Sequence, residues 1–281
     1  MEYKKVLNNV EVGGVDSFNL QDTFECGQCF RWNKISDGGY EGIAYGKKIR
    51  IREKDNKIVF QNVNLKDFTN IWLNYFDFNL DYTYIKQILG KINPNLKKAC
   101  EYAPGIKILN QDPWETLCSF IISQNNNIPR IKGIIEKLCE NFGQEIEEKS
   151  FSFPEPSVIA ALTEDDLKPI KCGFRAGYII DAASKVSSGQ IILEDIQKMP
   201  LPEARETLKQ IKGVGSKVAE CTLLYGFHRL DAFPIDVWMK RALTIMFPEM
   251  MPEDFGMYAG VAQQYIFHYS RMNSDIFKKA Q

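Results

Sequence analysis

The sequence is short of several things that would have placed it at once. It has no charge excess, because 35 Lys and Arg stand against 36 Asp and Glu for a net charge of −1 over 281 residues. No stretch approaches the roughly 20 consecutive apolar residues of a membrane span. The opening run Met1–Val10 lacks the apolar core of a secretory signal. Histidine occurs twice, and the seven cysteines are an odd number scattered without a framework. Reduced thiols in an intracellular protein are therefore expected, rather than a disulfide scaffold. No internal repeat or low-complexity segment is present. What remains is an ordinary globular composition, 44% hydrophobic and 25% charged, sufficient for one or two cored domains.

Residues 1 to about 80 read as β-rich. Phe30–Lys34, Tyr40–Tyr45, Lys48–Arg52 and Lys57–Phe60 are short strand-like runs. They are separated by turn signals at Asp37-Gly-Gly39, Gly46-Lys47 and Asp55-Asn56. Ile49, Ile51, Ile58 and Phe60 alternate with polar residues, which predicts an antiparallel sheet with one wet face. The aromatic run Ile71–Phe78 is expected to pack on it. From about residue 81 the pattern is helical. Asp112-Pro-Trp-Glu115 combines a capping Asp, a first-turn Pro and an acid three residues after the cap. That helix should end near Gln124–Pro129, followed by a helix stopping near Gly143. Further helices are expected over 157–167, 175–186 and 254–269.

The chemistry concentrates between Leu208 and Arg241. A helix carrying Leu201, Ala204, Leu208 and Ile211 at helical spacing runs into Gly213-Val-Gly215, where glycine permits a tight turn. A second helix starts at about Ser216. The two form a hairpin whose second helix offers unpaired N–H groups, a ready phosphate site. Lys217 lies in that first turn, where the positive end of the helix favours the neutral amine a nucleophile needs. Asp236, after Pro234, stands at an expected N-cap and so is a fixed carboxylate. An amine nucleophile with a fixed carboxylate suits displacement of a base at a sugar C1′. Taken singly, Lys217 is equally a phosphate contact and Asp236 merely a cap.

The hairpin, its Gly-Val-Gly turn, the lysine after it and Pro234-Ile-Asp236 resemble the helix-hairpin-helix DNA glycosylases with a catalytic lysine. Other motifs narrow the resemblance to 8-oxoguanine DNA glycosylases. Ser123–Arg130 is similar to that family's Asn-rich loop, which implies that Asn125 fills the hole left by a flipped nucleotide and that Arg130 contacts the orphaned cytosine. Cys172–Tyr178 resembles the segment supplying an aromatic wedge, Phe174, and a second arginine, Arg175. Glu25–Trp32 resembles the run in which a glycine carbonyl, here that of Gly27, accepts N7–H of the lesion. Cys221 matches the residue stacking on one face of the base. In Ala259–Phe267, Gln263 and Phe267 match the Watson–Crick reader and the opposite stacking ring, and their i, i+4 spacing puts both on one face.

The resemblance implies an α+β fold: an N-terminal antiparallel β-sheet domain, residues 1–100, then an α-helical glycosylase domain, residues 101–281. It implies excision of 8-oxoguanine from duplex DNA, with Lys217 and Asp236 catalytic and Gly213 and Gly215 shaping the DNA-binding turn. No metal or cofactor is implied, because lysine chemistry uses none. The expected partner is double-stranded DNA containing oxidised guanine. A monomer is expected, in the cytoplasm at a nucleoid, or in a nucleus if the source is eukaryotic. The near-zero net charge requires either asymmetric basic residues or binding through amides and aromatics. The last cysteine is Cys221, so the four-cysteine iron–sulfur motif of related glycosylases cannot follow the catalytic region. Trp238 stands where eukaryotic members have histidine, and Ser270 where they have aspartate, which leaves strictness for cytosine open. Rival readings are a glycosylase for other damaged bases, a non-catalytic DNA grip, and a zinc or redox site on Cys26-Gly-Gln-Cys29. The last lacks a second pair of ligands.

Overall fold

Short β-branched and aromatic runs between glycine and asparagine turns form the first layer of the computed structural model, which describes residues 1–278. Six strands, β1 (Glu2–Val6), β2 (Asn9–Gly13), β3 (Trp32–Lys34), β4 (Tyr40–Ala44), β5 (Lys47–Lys54) and β6 (Lys57–Gln61), pair in the order β1-β2-β6-β5-β4-β3. Every pairing is antiparallel. The register aligns Val10 with Phe60, Phe60 with Ile51 and Ile51 with Tyr40. This row is buried, so period-2 alternation has put one face inward as expected. The aromatic run packs on it: Trp72, Tyr75, Phe76 and Phe78 join Phe24, Trp32, Phe60 and Phe68 in one core. At Gly42, opposite Trp32 in the register, an added Cβ would collide with the indole ring, so glycine there makes room for tryptophan.

Strands β1 and β2 lie outside the strand-like runs of the sequence. The β1 side chains Glu2 to Lys5 are exposed, so this charged edge strand has no apolar alternation to reveal it. A short helix also interrupts the β-rich region, Leu20–Glu25, capped by Asn19 accepting from Asp22 N.

The second core is helical and draws on residues from Tyr82 to Phe277 together with Cys26 and Phe30. Asp112 caps the Pro113–Ser123 helix as expected, and the next helix, Ile128–Phe142, is capped by Asn127. The helix expected over 157–167 is only Pro156–Ala160. Asp166 turns back to accept from Thr163 N at 2.8 Å and from its hydroxyl at 2.7 Å, closing a local turn in place of a helical one. The last expected helix is broken at Gly256, whose φ is +69°, and the regular helix is Ala259–Met272.

Gln28 stitches the two layers. Its buried side chain donates to Thr23 O (2.9 Å) and Lys107 O (2.8 Å) and accepts from Leu109 N (2.9 Å). This fixes the segment containing Gly27 against the chain that leads into the helical core. No described helix is long and apolar enough to cross a membrane.

Candidate active site

The hairpin forms as its residues dictate. Helix Leu201–Lys209 carries proline in its first turn, and helix Ser216–Tyr225 follows the turn. The two glycines differ. Gly213 has φ +78°, and a Cβ there would strike the Tyr178 ring, so it is held to glycine twice over. Gly215 is extended, with φ −93°, and acts as an N-cap without any side-chain cap. The first N–H groups of the second helix are therefore left for an outside acceptor.

Six of the residues singled out in the sequence meet in one pocket of about 470 Å³: Gly27, Lys217, Cys221, Asp236, Gln263 and Phe267. They come from the β-side loop, the hairpin, the loop after it and the C-terminal helix. Lys217 Nζ is 3.2 Å from Ser123 Oγ and lies 4.8 Å from the centre of the Phe120 ring. Asp236 caps helix Val237–Met246, its Oδ1 accepting from Met239 N at 2.8 Å. Burial pushes the Cys221 thiol up to about 11 against the pull of the Lys217 charge, so it meets a ligand as a neutral, polarisable surface. Gln263 is buried and reaches Tyr225 OH at 3.4 Å. Gly27 has φ +92° and lies against Phe267 and Arg271.

Several supports were not read from the sequence. Buried Glu220 pairs with Arg205 and accepts from Phe233 N at 2.7 Å, tying the loop that leads to Asp236 onto the helix bearing Lys217. Gln264 donates to Cys26 O at 3.1 Å and accepts from Tyr225 OH at 2.6 Å, which seats the Gly27 segment. No sequence signal singled out Glu220 or Gln264. Their partners lie 13 and 238 positions away, and no local pattern announces such pairs.

The remaining predicted residues lie outside the pocket wall. Asn125 is exposed and left-handed, with φ +47°, a conformation in which asparagine is tolerated. Arg130 is exposed in the first turn of its helix. Phe174 is 57% exposed, so it is not a core ring. Arg175 differs from the free donor expected. It is 2% exposed, and its guanidinium donates to the carbonyls of Gln124, Asn125 and Cys172. It holds the Asn-rich loop in shape and stacks 4.4 Å from the Phe174 ring. Trp238 lines the pocket, while buried Ser270 donates its hydroxyl to Phe267 O at 2.9 Å.

Two competing locations are weaker. The Cys26 and Cys29 thiols are buried, and burial pushes the first up to about 12 and the second higher still. Such protonated thiols are poor ligands and nucleophiles, and no group of three metal-ligating side chains occurs among the described residues. A larger cavity of about 900 Å³ is lined by Asp112, Glu115, Glu155 and Glu194. Its acidic wall repels a polyanion, and it contains none of the catalytic, base-pocket or DNA-contact residues expected from the sequence.

Comparison with known proteins agrees with this geometry. Residues 13–117 match the family model for the 8-oxoguanine DNA glycosylase N-terminal domain, and residues 118–249 match that of the HhH-GPD superfamily of base excision DNA repair proteins. An N-glycosylase/DNA lyase of Saccharomyces cerevisiae is 32% identical over 79% of this chain and 66% of its own length. The solved structure of MBOgg1 with a low-affinity DNA ligand superposes with a TM-score of 0.93 at 44% identity, covering 98% of this chain and 100% of that one. The 8-oxoguanine glycosylase/lyase of Clostridium acetobutylicum, solved with double-stranded DNA containing cytosine opposite 8-oxoG, gives 0.92 at 37% identity over 98% and 99%.

Proposed function

This chain belongs to the HhH-GPD superfamily and to its 8-oxoguanine DNA glycosylase family, and from that premise we propose that it excises 8-oxoguanine from duplex DNA and then cleaves the strand. The observation that carries the reading is the convergence of an amine, a fixed carboxylate, a buried amide, a thiol and a half-buried ring on one base-sized pocket. The C1′ bond is inaccessible within a base stack, so the nucleotide must be turned out of the helix. Phe267 and Cys221 then flank the base, and Gln263 and the Gly27 carbonyl read its edges. Guanine has no proton on N7 and 8-oxoguanine has one, so a single backbone acceptor separates lesion from parent.

The Lys217 amine forms a bond to C1′ as the bond to the base breaks, the electron pair leaving with the base. Asp236 stabilises the positive charge that develops on the sugar. Opening of the sugar ring gives an imine. Loss of a C2′ proton then expels the 3′ phosphate, and water releases the lysine. Asn125, Phe174 and Arg130 stand outside the pocket as the gap filler, the wedge and the contact to the orphaned base, with Arg175 shaping the loop. The open N-terminus at Gly215 and Ser216 grips phosphate, which suits a protein without net positive charge. Residues 1–100 then serve as the wall that brings Gly27, and residues 101–281 as the catalytic unit. Its place of action is wherever genomic DNA lies, the nucleoid in a prokaryotic cytoplasm.

The test is borohydride trapping on duplexes with one 8-oxoguanine opposite C, A, G or T, beside Lys217→Gln. A covalent adduct lost in the variant is expected. Binding without adduct or base release on every duplex would leave the hairpin as a non-catalytic grip.

A further inference from the structure

The pocket contains one charged group for which the mechanism above has no use. Arg271 lies in the last turn of helix Ala259–Met272 and is an arginine in the pocket wall, beside Gly27, Gln263 and Phe267. Its guanidinium sits 5.4 Å from the centre of the Phe267 ring. Its Nη1 is the nearest atom to a Cβ built on Gly27, at 3.1 Å. The charge therefore rests beside both the ring that flanks a bound base and the glycine that reads its edge. It makes no ion pair among the described residues. The hydrogen bonds of the described side chains also leave its planar fork of donors unused. Half-buried in the pocket wall, the guanidinium has its donors free for an acceptor that enters the pocket.

We propose that Arg271 is a further catalytic residue, donating to a carbonyl oxygen of the oxidised base and taking up the negative charge the base acquires as it leaves. The proposal rests on the glycosylase reading of this same pocket. When the bond to C1′ breaks, the electron pair stays with the base and spreads onto its carbonyl oxygens. An oxidised purine carries one more such oxygen than its parent, on the edge next to N7, where Gly27 lies. A planar fork of N–H donors matches that edge, and its charge counts for more as the negative charge grows. The interaction is stronger in the transition state than in the ground state, so it acts on rate rather than on binding alone.

The obvious alternative is a contact to a DNA phosphate, and a preformed abasic site separates the two. Such a duplex has the same phosphates, requires the same Lys217 imine chemistry, and has no base to leave. The experiment is single-turnover base release from an 8-oxoguanine·cytosine duplex, and strand cleavage of the matching abasic duplex, for the unmutated chain, R271Q and R271K. Loss of a charged hydrogen bond predicts that R271Q slows base release by roughly tenfold to a hundredfold. Abasic cleavage should fall by no more than about twofold, with R271K intermediate in base release. A parallel fall in both reactions, or no fall in base release, overturns the proposal. If the unmutated chain releases no base at all, it is the glycosylase reading that fails, and the comparison of variants is what tells the two apart.

Discussion

Two helices of this chain start with the same device, an aspartate whose Oδ1 accepts a backbone N–H three residues on at 2.8 Å. One is Asp112, bonding Glu115 N; the other is Asp236, bonding Met239 N. Locally they are equivalent caps. Asp112 opens onto a cavity whose wall includes Glu115, Glu155 and Glu194, whereas Asp236 opens onto the pocket that contains Lys217. The difference lies in what the tertiary fold brings opposite each carboxylate. A cap becomes a catalytic charge only when a nucleophile and room for a sugar face it.

The comparison can be broken from either side. The largest effect belongs to the group opposite Asp236: Lys217→Gln is expected to abolish the borohydride-trapped adduct and reduce base release to background. Next comes Asp236→Asn, which keeps a good cap and removes the charge. Base release should fall roughly a hundredfold, in the range of a lost electrostatic stabiliser, with the urea midpoint barely moved. Asp112→Asn is the control, with base release expected within about twofold of the unmutated chain. If it lost as much activity as Asp236→Asn, the distinction drawn between the two caps would collapse.

Stability effects sharpen the picture further. Gly213→Ala combines a left-handed backbone with a collision against Tyr178, and about 2 to 5 kcal/mol of destabilisation is expected. Alanine at Asp112 or at Asp236 should each cost about 1 kcal/mol by denaturant unfolding, while only the second disables catalysis.

The Asp112 start also carries a second carboxylate, Glu115, where the Asp236 start has Met239. Burial pushes Glu115 up to about 7 against the counter-pull of Arg31, 3.4 Å away. A carboxyl raised in the folded state holds its proton more tightly there than in the unfolded chain, so its contribution is greatest at low pH. That contribution is lost as pH rises from about 4.5 toward 7. Urea midpoints of Glu115→Gln across this window should therefore decline less with pH than those of the unmutated chain. An unchanged slope would show that Glu115 does not titrate there.

Much of this was legible because the signals are local. Asp112-Pro113, Gly213-Val-Gly215 and the Asp55-Asn56 turn act through their own backbones, and each formed where the sequence placed it. The misses share a cause as well. Strand β1 is exposed and charged, the Pro156–Ala160 helix is cut short by the Thr163–Asp166 turn, and Gly256 divides the last helix. All three are local: β1 has no periodic pattern to read, and in the other two a short-range feature interrupts one. Arg175 shows the opposite dependence. Its exposure depends on the carbonyls of a loop fifty residues earlier.

By itself the sequence determined the strongly signalled elements, the Asp112 and Asp236 caps and the hairpin turn, because these follow from backbone geometry within a few residues. The tertiary structure decided which aspartate shares a pocket with the lysine and which arginine is spent on backbone carbonyls. Those outcomes depend on contacts such as Gln264 to Cys26 and Glu220 to Phe233, which exist only once distant segments have packed together.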